Sequence, residues 1–424
     1  MNGKLKSLIM TTLMIASAMA GCLGEDSSDV DLDDADGGYE YASNVDNHRM
    51  LMGDVCDIKD LSGAYDWDGV KEIYEDGEHA EKSDGSYRTL MGFADAAGKN
   101  HAYDTYYGSD GSWNDFVSAA IEGTGAFAFE SDTVRDQAVE KGIQNGVMTA
   151  YTIHELNAAI IKAEAGNWGT DDAQHAWDEG WAFYHGPDDS GADFDGCGPY
   201  ATADKRAGNF GTANSDGTAA TNVATLEAMN AGLAAIQNED MDGLVDARDE
   251  VLKQIVIVYS QASVRYASKM TVDLAENEFG DYDKHQAEGH AFFRVIEAYV
   301  ADHTDSCYNN QTHGMAYIGA SAASTCDAFS WVDYQGTMVC YNGVVHMVYA
   351  EATTEEICDG FASMFPESGM PGYYADYGAS QIVDIFDLSN NGDSTADYEA
   401  QVRMYLQPAW TAFGITSDDI GELV

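Results

Sequence analysis

Two short stretches of the chain each carry a histidine and a glutamate at helical spacing. The first, His175 to Gly186, reads HAWDEGWAFYHG, and the second, His285 to Arg294, reads HQAEGHAFFR. Glu179 and Glu288 are equivalent positions, 109 residues apart, and each opens a Glu-Gly-x-Ala-Phe-aromatic string. Residues three or four apart lie on one face of a helix, so each imidazole–carboxylate couple points at one place. Lys and Arg total only 20 against 73 Asp and Glu, so few cations are on hand to neutralise buried carboxylates. A metal ion does that work, and His/carboxylate pairs on bundle helices are a common ligand geometry. The expected metal ligands are His175, Glu179, His285 and Glu288, with Asp178 on the same face as the first couple. The competing reading is a pair of buried ion pairs, for which Arg265 is the obvious partner.

His154 and His101 are further candidate ligands. His154 lies on an apolar helix, where a lone histidine is more often a hydrogen-bonded core residue than a ligand. Its neighbour Glu155 points about 100° away on an ideal helix and reads as solvated. His101 stands beside Tyr103, Asp104 and Tyr106; the tyrosines read as a core stripe, although hard oxygen donors also suit ferric iron. Two calcium-like strings, from Asn238 and from Asp387, lack the glutamate at loop position twelve. The first is better read as an acid-rich helix start. No G-x-S-x-G, HExxH or Walker loop is present, so no known catalytic motif speaks for an enzyme.

The elements that must position these residues follow from periodicity. An apolar stripe predicts a helix over 133–165, ended by Gly166. A polar linker then leads to the helix carrying His175, which Gly186-Pro187 stops. Residues 188–219, rich in Gly, Ala, Asp and Asn, read as a long loop pinned by Cys197. Another long helix is expected over 242–274, followed by an acidic turn and the helix carrying His285. Tyr151 precedes Glu179 by 28 residues and Tyr259 precedes Glu288 by 29. The fold class expected is therefore mainly α, with internally duplicated helical hairpins forming a bundle. From Cys307 the texture changes to β-branched and aromatic residues with four cysteines, which predicts a less regular, disulfide-containing C-terminal region.

The N-terminus fixes the compartment. A basic start, an apolar run from Leu8 to Ala20 and then Met19-Ala20-Gly21-Cys22 resemble a lipoprotein signal, with Cys22 as the lipidated residue. The expected organisation is signal peptide 1–21, acidic disordered tether 22–40, duplicated metal-binding domain 41–305, and Cys-rich region 306–424 packed on it. With Cys22 set aside, six cysteines remain, enough for three disulfides in an oxidising compartment. A formal net charge of −53 argues against nucleic acid and anionic lipid surfaces as partners.

DGVKEIYEDGEHAEKSDGSYRTLMGFA from Asp68, HAYDTYYG with the following Trp113 helix, HAWDEGWAFYHG, and YSQASVRYASKM with HQAEGHAFFR together resemble the low-iron-inducible, Fe-assimilating periplasmic protein family. The resemblance covers roughly residues 65–300. It implies an extracytoplasmic protein that assists iron uptake and binds iron, with an uptake transporter or receptor as its partner. Imelysin-like lipoproteins are a more distant comparison, and their GxHxxE motif is absent. The expectation is an iron-binding lipoprotein anchored to the cell membrane. The alternatives are a metal-dependent hydrolase or oxidoreductase, and a structural surface lipoprotein.

Overall fold

The computed structural model describes residues 35–99, 101–188, 197–319, 322–365 and 369–424. Cys22 and the signal segment lie outside them. The end of the expected tether is ordered: Ala35–Asp36 (β1) and Tyr39–Glu40 (β2) form a hairpin. It is held because Asp36 is buried against the Arg49 guanidinium at 2.7 Å, a pairing that composition alone does not reveal.

Short helices follow: α1 (Asp46–Arg49), α2 (Leu51–Gly63), α3 (Trp67–Asp76), α4 (Leu90–Ala94), α5 (Ala102–Tyr107) and α6 (Ser112–Glu122). Asp66 and Thr89 start α3 and α4 by accepting the amides of Gly69 and Gly92, which would otherwise have no partner. The helix predicted over 133–165 is α7 (Asp132–Lys141) and α8 (Met148–Glu164), joined by a π-helical turn at Gly142–Val147. Trp113 packs against that turn so closely that a Cβ on Gly146 would lie 2.4 Å from its ring. Gly166, at φ +84°, ends the helix where the sequence placed its stop.

A π-helical turn at Thr170–Gln174 feeds α9 (His175–His185), which packs on α8. The expected long loop at 188–219 instead contains α10 (Pro199–Phe210), and this is a correction. Pro199 sits at its first turn, where a missing N–H costs nothing, and Ala203, Ala207 and Phe210 are buried. Three small or aromatic anchors in a Gly- and Asp-rich stretch give too faint a period to read. Next come α11 (Ala220–Gln237), α12 (Met241–Glu276) and α13 (Phe279–Val300). Asp240 caps α12 by accepting the Gly243 amide, so the first calcium-like string is indeed a helix start. α12 packs on α8, α11 and α13, and α13 also meets α7.

The Cys-rich unit has its own small core. Ser306–Tyr308 (β3) pairs with Met315–Tyr317 (β4), and Phe329–Tyr334 (β5), Thr337–Asn342 (β6) and Met347–Tyr349 (β7) form an antiparallel meander. The short helix α14 (Glu355–Cys358) brings Cys358 to Cys340, and Cys307 bonds Cys326. The third disulfide, Cys56–Cys197, ties α2 to the segment before α10. After the Cys-rich unit the chain returns to the bundle. Ile382 and Phe386 of α15 (Tyr377–Phe386) and Val402, Leu406 and Trp410 of α16 (Tyr398–Ala412) belong to the main core. Among the described residues, no helix is long and apolar enough to cross a membrane.

Candidate metal centre

Glu179 is where the polar interior gathers. It projects from α9 with its carboxylate only slightly exposed. Its Oε1 lies 3.1 Å from Nε2 of His175, one turn earlier, and 3.3 Å from Nε2 of His48 on α1. On its other side it shares a hydrogen bond with Glu155 of α8. The His154 imidazole reaches Glu155 at 3.8 Å and packs 4.8 Å from the His101 ring. Tyr151, one turn before His154, contacts both the His101 and His154 rings. Four imidazoles and two carboxylates thus form one chain of contacts, buried at His48, Glu155 and Glu179 and half-buried at the other three histidines.

The close approach of α9 to α8 makes this possible. Gly180 faces Leu156 and the Thr152 carbonyl, and a Cβ there would lie 2.8 Å from Leu156. The glycine after the glutamate is therefore a packing requirement that lets Glu179 reach Glu155.

The protonation pattern suits cation capture. Burial holds Glu155 well above the usual carboxylate range, and the Glu179 charge adds to that. Burial also opposes charge on Glu179, yet His48, His175 and the hydrogen bond from Glu155 hold it well below the usual range. Glu155 is thus the protonated member and donates to Glu179. Burial lowers His48 to about 3, His101 to about 4 and His154 to about 3, so these rings are neutral. Neutral imidazole is the form that coordinates metal. His175 goes the other way: burial lowers it, but the Glu179 hydrogen bond outweighs that and raises it.

His175 is also oriented from behind. Its Nδ1 is 2.9 Å from Ser43 Oγ, which donates to Asp178 Oδ2 at 2.7 Å. Asp178 further accepts from the Ala42 and Ser43 amides and from Tyr39 Oη. Its two oxygens are engaged with the N-terminal segment, about 100° around the helix from Glu179. Asp178 is thus a support for His175.

The second couple stands elsewhere. His285 Nδ1 is 2.6 Å from Asp273 Oδ2, and its Nε2 is 3.1 Å from Lys269 Nζ. Both ring nitrogens are therefore engaged. Glu288 Oε2 is 4.0 Å from His285 Nε2 and accepts a hydrogen bond from Tyr266. Among the described residues, Glu179 and Glu288 have no hydrogen-bond or ion-pair partner in common. Arg265 forms no ion pair with either. Beside His285 opens an acidic groove of about 450 Å³ lined by Lys269, Asp273, Glu276, Glu278 and Asp281.

Of the residues predicted from sequence, the structure links His175, Glu179, His154 and His101 by successive contacts, without bringing ligand atoms of three of them within 4.8 Å of one another. It adds His48 and Glu155. Two observations bear on whether a metal fits. His48 Nδ1 and His101 Nε2 are buried with no hydrogen-bond partner among the described residues, a costly arrangement without a ligand. The donors are nitrogen and oxygen only, a set suited to iron and its first-row neighbours.

The family described as low iron-inducible periplasmic protein (Fea1) matches the chain over residues 11–284, well over half its length. No curated protein and no solved structure matches it.

Proposed function

The chain belongs to the low iron-inducible periplasmic protein family, and we propose from that premise that it binds iron outside the cytoplasm as cargo for uptake. The ligands are drawn from Glu155, Glu179, His48, His154 and His175, with His101 at the end of the chain of contacts. The observation that carries this reading is the buried Glu155–Glu179 pair flanked by neutral imidazoles. Two carboxylates forced together in a low-dielectric interior repel unless a proton or a cation lies between them. Iron replaces that proton.

The α8/α9 and α12/α13 pairs are read as two copies of one helical unit. With Tyr151 aligned on Tyr259, the second copy has Ala262 and Ser263 where the first has His154 and Glu155. Lys269 then supplies, beside His285, the positive charge that an ion would bring. Only the first copy keeps a full ligand set. A lipid on Cys22 would hold the protein at the membrane, where a transporter or receptor accepts the ion.

Iron stoichiometry of the purified protein, loaded separately with ferrous and ferric salts, tests this. Glu155→Gln and Glu179→Gln should each weaken binding by about two orders of magnitude, while Glu288→Gln should leave it intact. Full iron binding in both of the first two variants would sink the centre as drawn.

A further inference from the structure

A different set of donors lies on the outer face of α2. Asp54 and Asp57 are three residues apart on that helix and so share a face. Gly77, at φ +72°, ends α3 and turns the chain so that Glu78 and His79 pass over this face. The turn is fastened from below: Asp54 Oδ1 accepts the amides of Glu78 at 3.1 Å and His79 at 2.9 Å. His79 Nε2 lies 2.7 Å from Asp57 Oδ2. Ligand atoms of Asp57, Glu78 and His79 all fall within 4.8 Å of one another.

From this arrangement we propose a second cation site, formed by Asp57, Glu78 and His79 over the buried carboxylate of Asp54, that takes a divalent first-row transition ion. Asp54 is the independent sign. It is fully buried, and its Oδ2 has no hydrogen-bond partner among the described residues. An unpaired buried carboxylate oxygen is costly, and positive charge held beside Asp57 and His79, which lie within electrostatic reach of Asp54, offsets part of that cost. Ligands at about 2.1 Å from one ion stand about 3–4.2 Å apart, so an ion entering here parts the 2.7 Å His79–Asp57 contact slightly and draws Glu78 in. An imidazole among carboxylates favours manganese, iron or zinc over calcium or magnesium.

The site differs in character from the inner cluster. The Asp57 and His79 side chains are 42% and 26% exposed, so an ion here meets solvent directly. It is also close by in the chain. Asn47, next to His48, donates to the carbonyl of Glu81, two residues beyond His79. The outer site is thus a surface holding point next to the helix that carries an inner imidazole.

Calorimetric titration of the mature chain with Zn²⁺ alone tests the proposal, using the Glu155→Gln/Glu179→Gln double variant to silence the inner cluster. That variant should still bind one equivalent. Adding His79→Gln or Glu78→Gln should weaken this equivalent at least tenfold. Glu78 is exposed, so its variant folds whether or not the site exists. Absence of the residual equivalent, or isotherms unchanged by both added substitutions, overturns the site. Failure of the inner cluster would show separately, as iron binding insensitive to Glu155 and Glu179.

Discussion

Ser43 carries no charge, yet it links two charged groups. Its hydroxyl accepts from His175 Nδ1 and donates to Asp178, which fixes which imidazole nitrogen faces Glu179. Ser43→Ala removes that link while the Ala42 and Ser43 amides still hold Asp178. Iron affinity should fall about 10–100-fold, while unfolding free energy should drop by only about 1 kcal/mol. Parallel binding and urea-unfolding curves check both. At this scale the sequence was half legible. The i,i+4 spacing of His175 and Glu179 announced itself, but His48 lies in a four-residue helix with no period to read. Glu155 was read as solvated because helical wheel geometry says nothing about a second helix arriving from the other side.

The position of α9 is set by a notch in α11. Trp177 lies so close to Gly232 that a Cβ there would be 1.9 Å from its ring, and its indole N–H donates to the Met229 carbonyl. Gly232→Ala gains about 1 kcal/mol of helix propensity but costs about 1–3 kcal/mol in overpacking, so packing wins. The variant should unfold at lower urea. Because Trp177 is two residues from Glu179, it should also bind iron more weakly than wild type. The long helices were legible because their stripes run over many turns. The helix at 199–210 and the ordered end of the tether were not, since each depends on contacts distant in sequence: the Cys56–Cys197 bond and the Asp36–Arg49 pair.

Across the whole molecule, His290 marks where three regions meet. On α13, it stacks on Phe116 of α6 and bonds the Phe386 carbonyl of α15. Burial, aided by the Arg294 charge, lowers it to about 4. An unfolded histidine titrates near 6.5, so between these values the unfolded chain holds the extra proton. Stability is complete above about pH 6.5 and falls as pH drops towards 4, by about 3 kcal/mol. His290→Asn retains a donor but does not titrate. Urea midpoints measured from pH 7 to 4 should fall less steeply for it than for wild type.

Cys56 and Cys197 are 141 residues apart, and the segment they enclose contains His101, His154, Glu155, His175 and Glu179. Once they are joined, nearly every inner ligand belongs to a covalent ring. Opening that ring in the denatured chain would restore roughly 5 kcal/mol of conformational freedom. An oxidising milieu therefore steadies the ion cradle by about that amount, and a reducing one withdraws it.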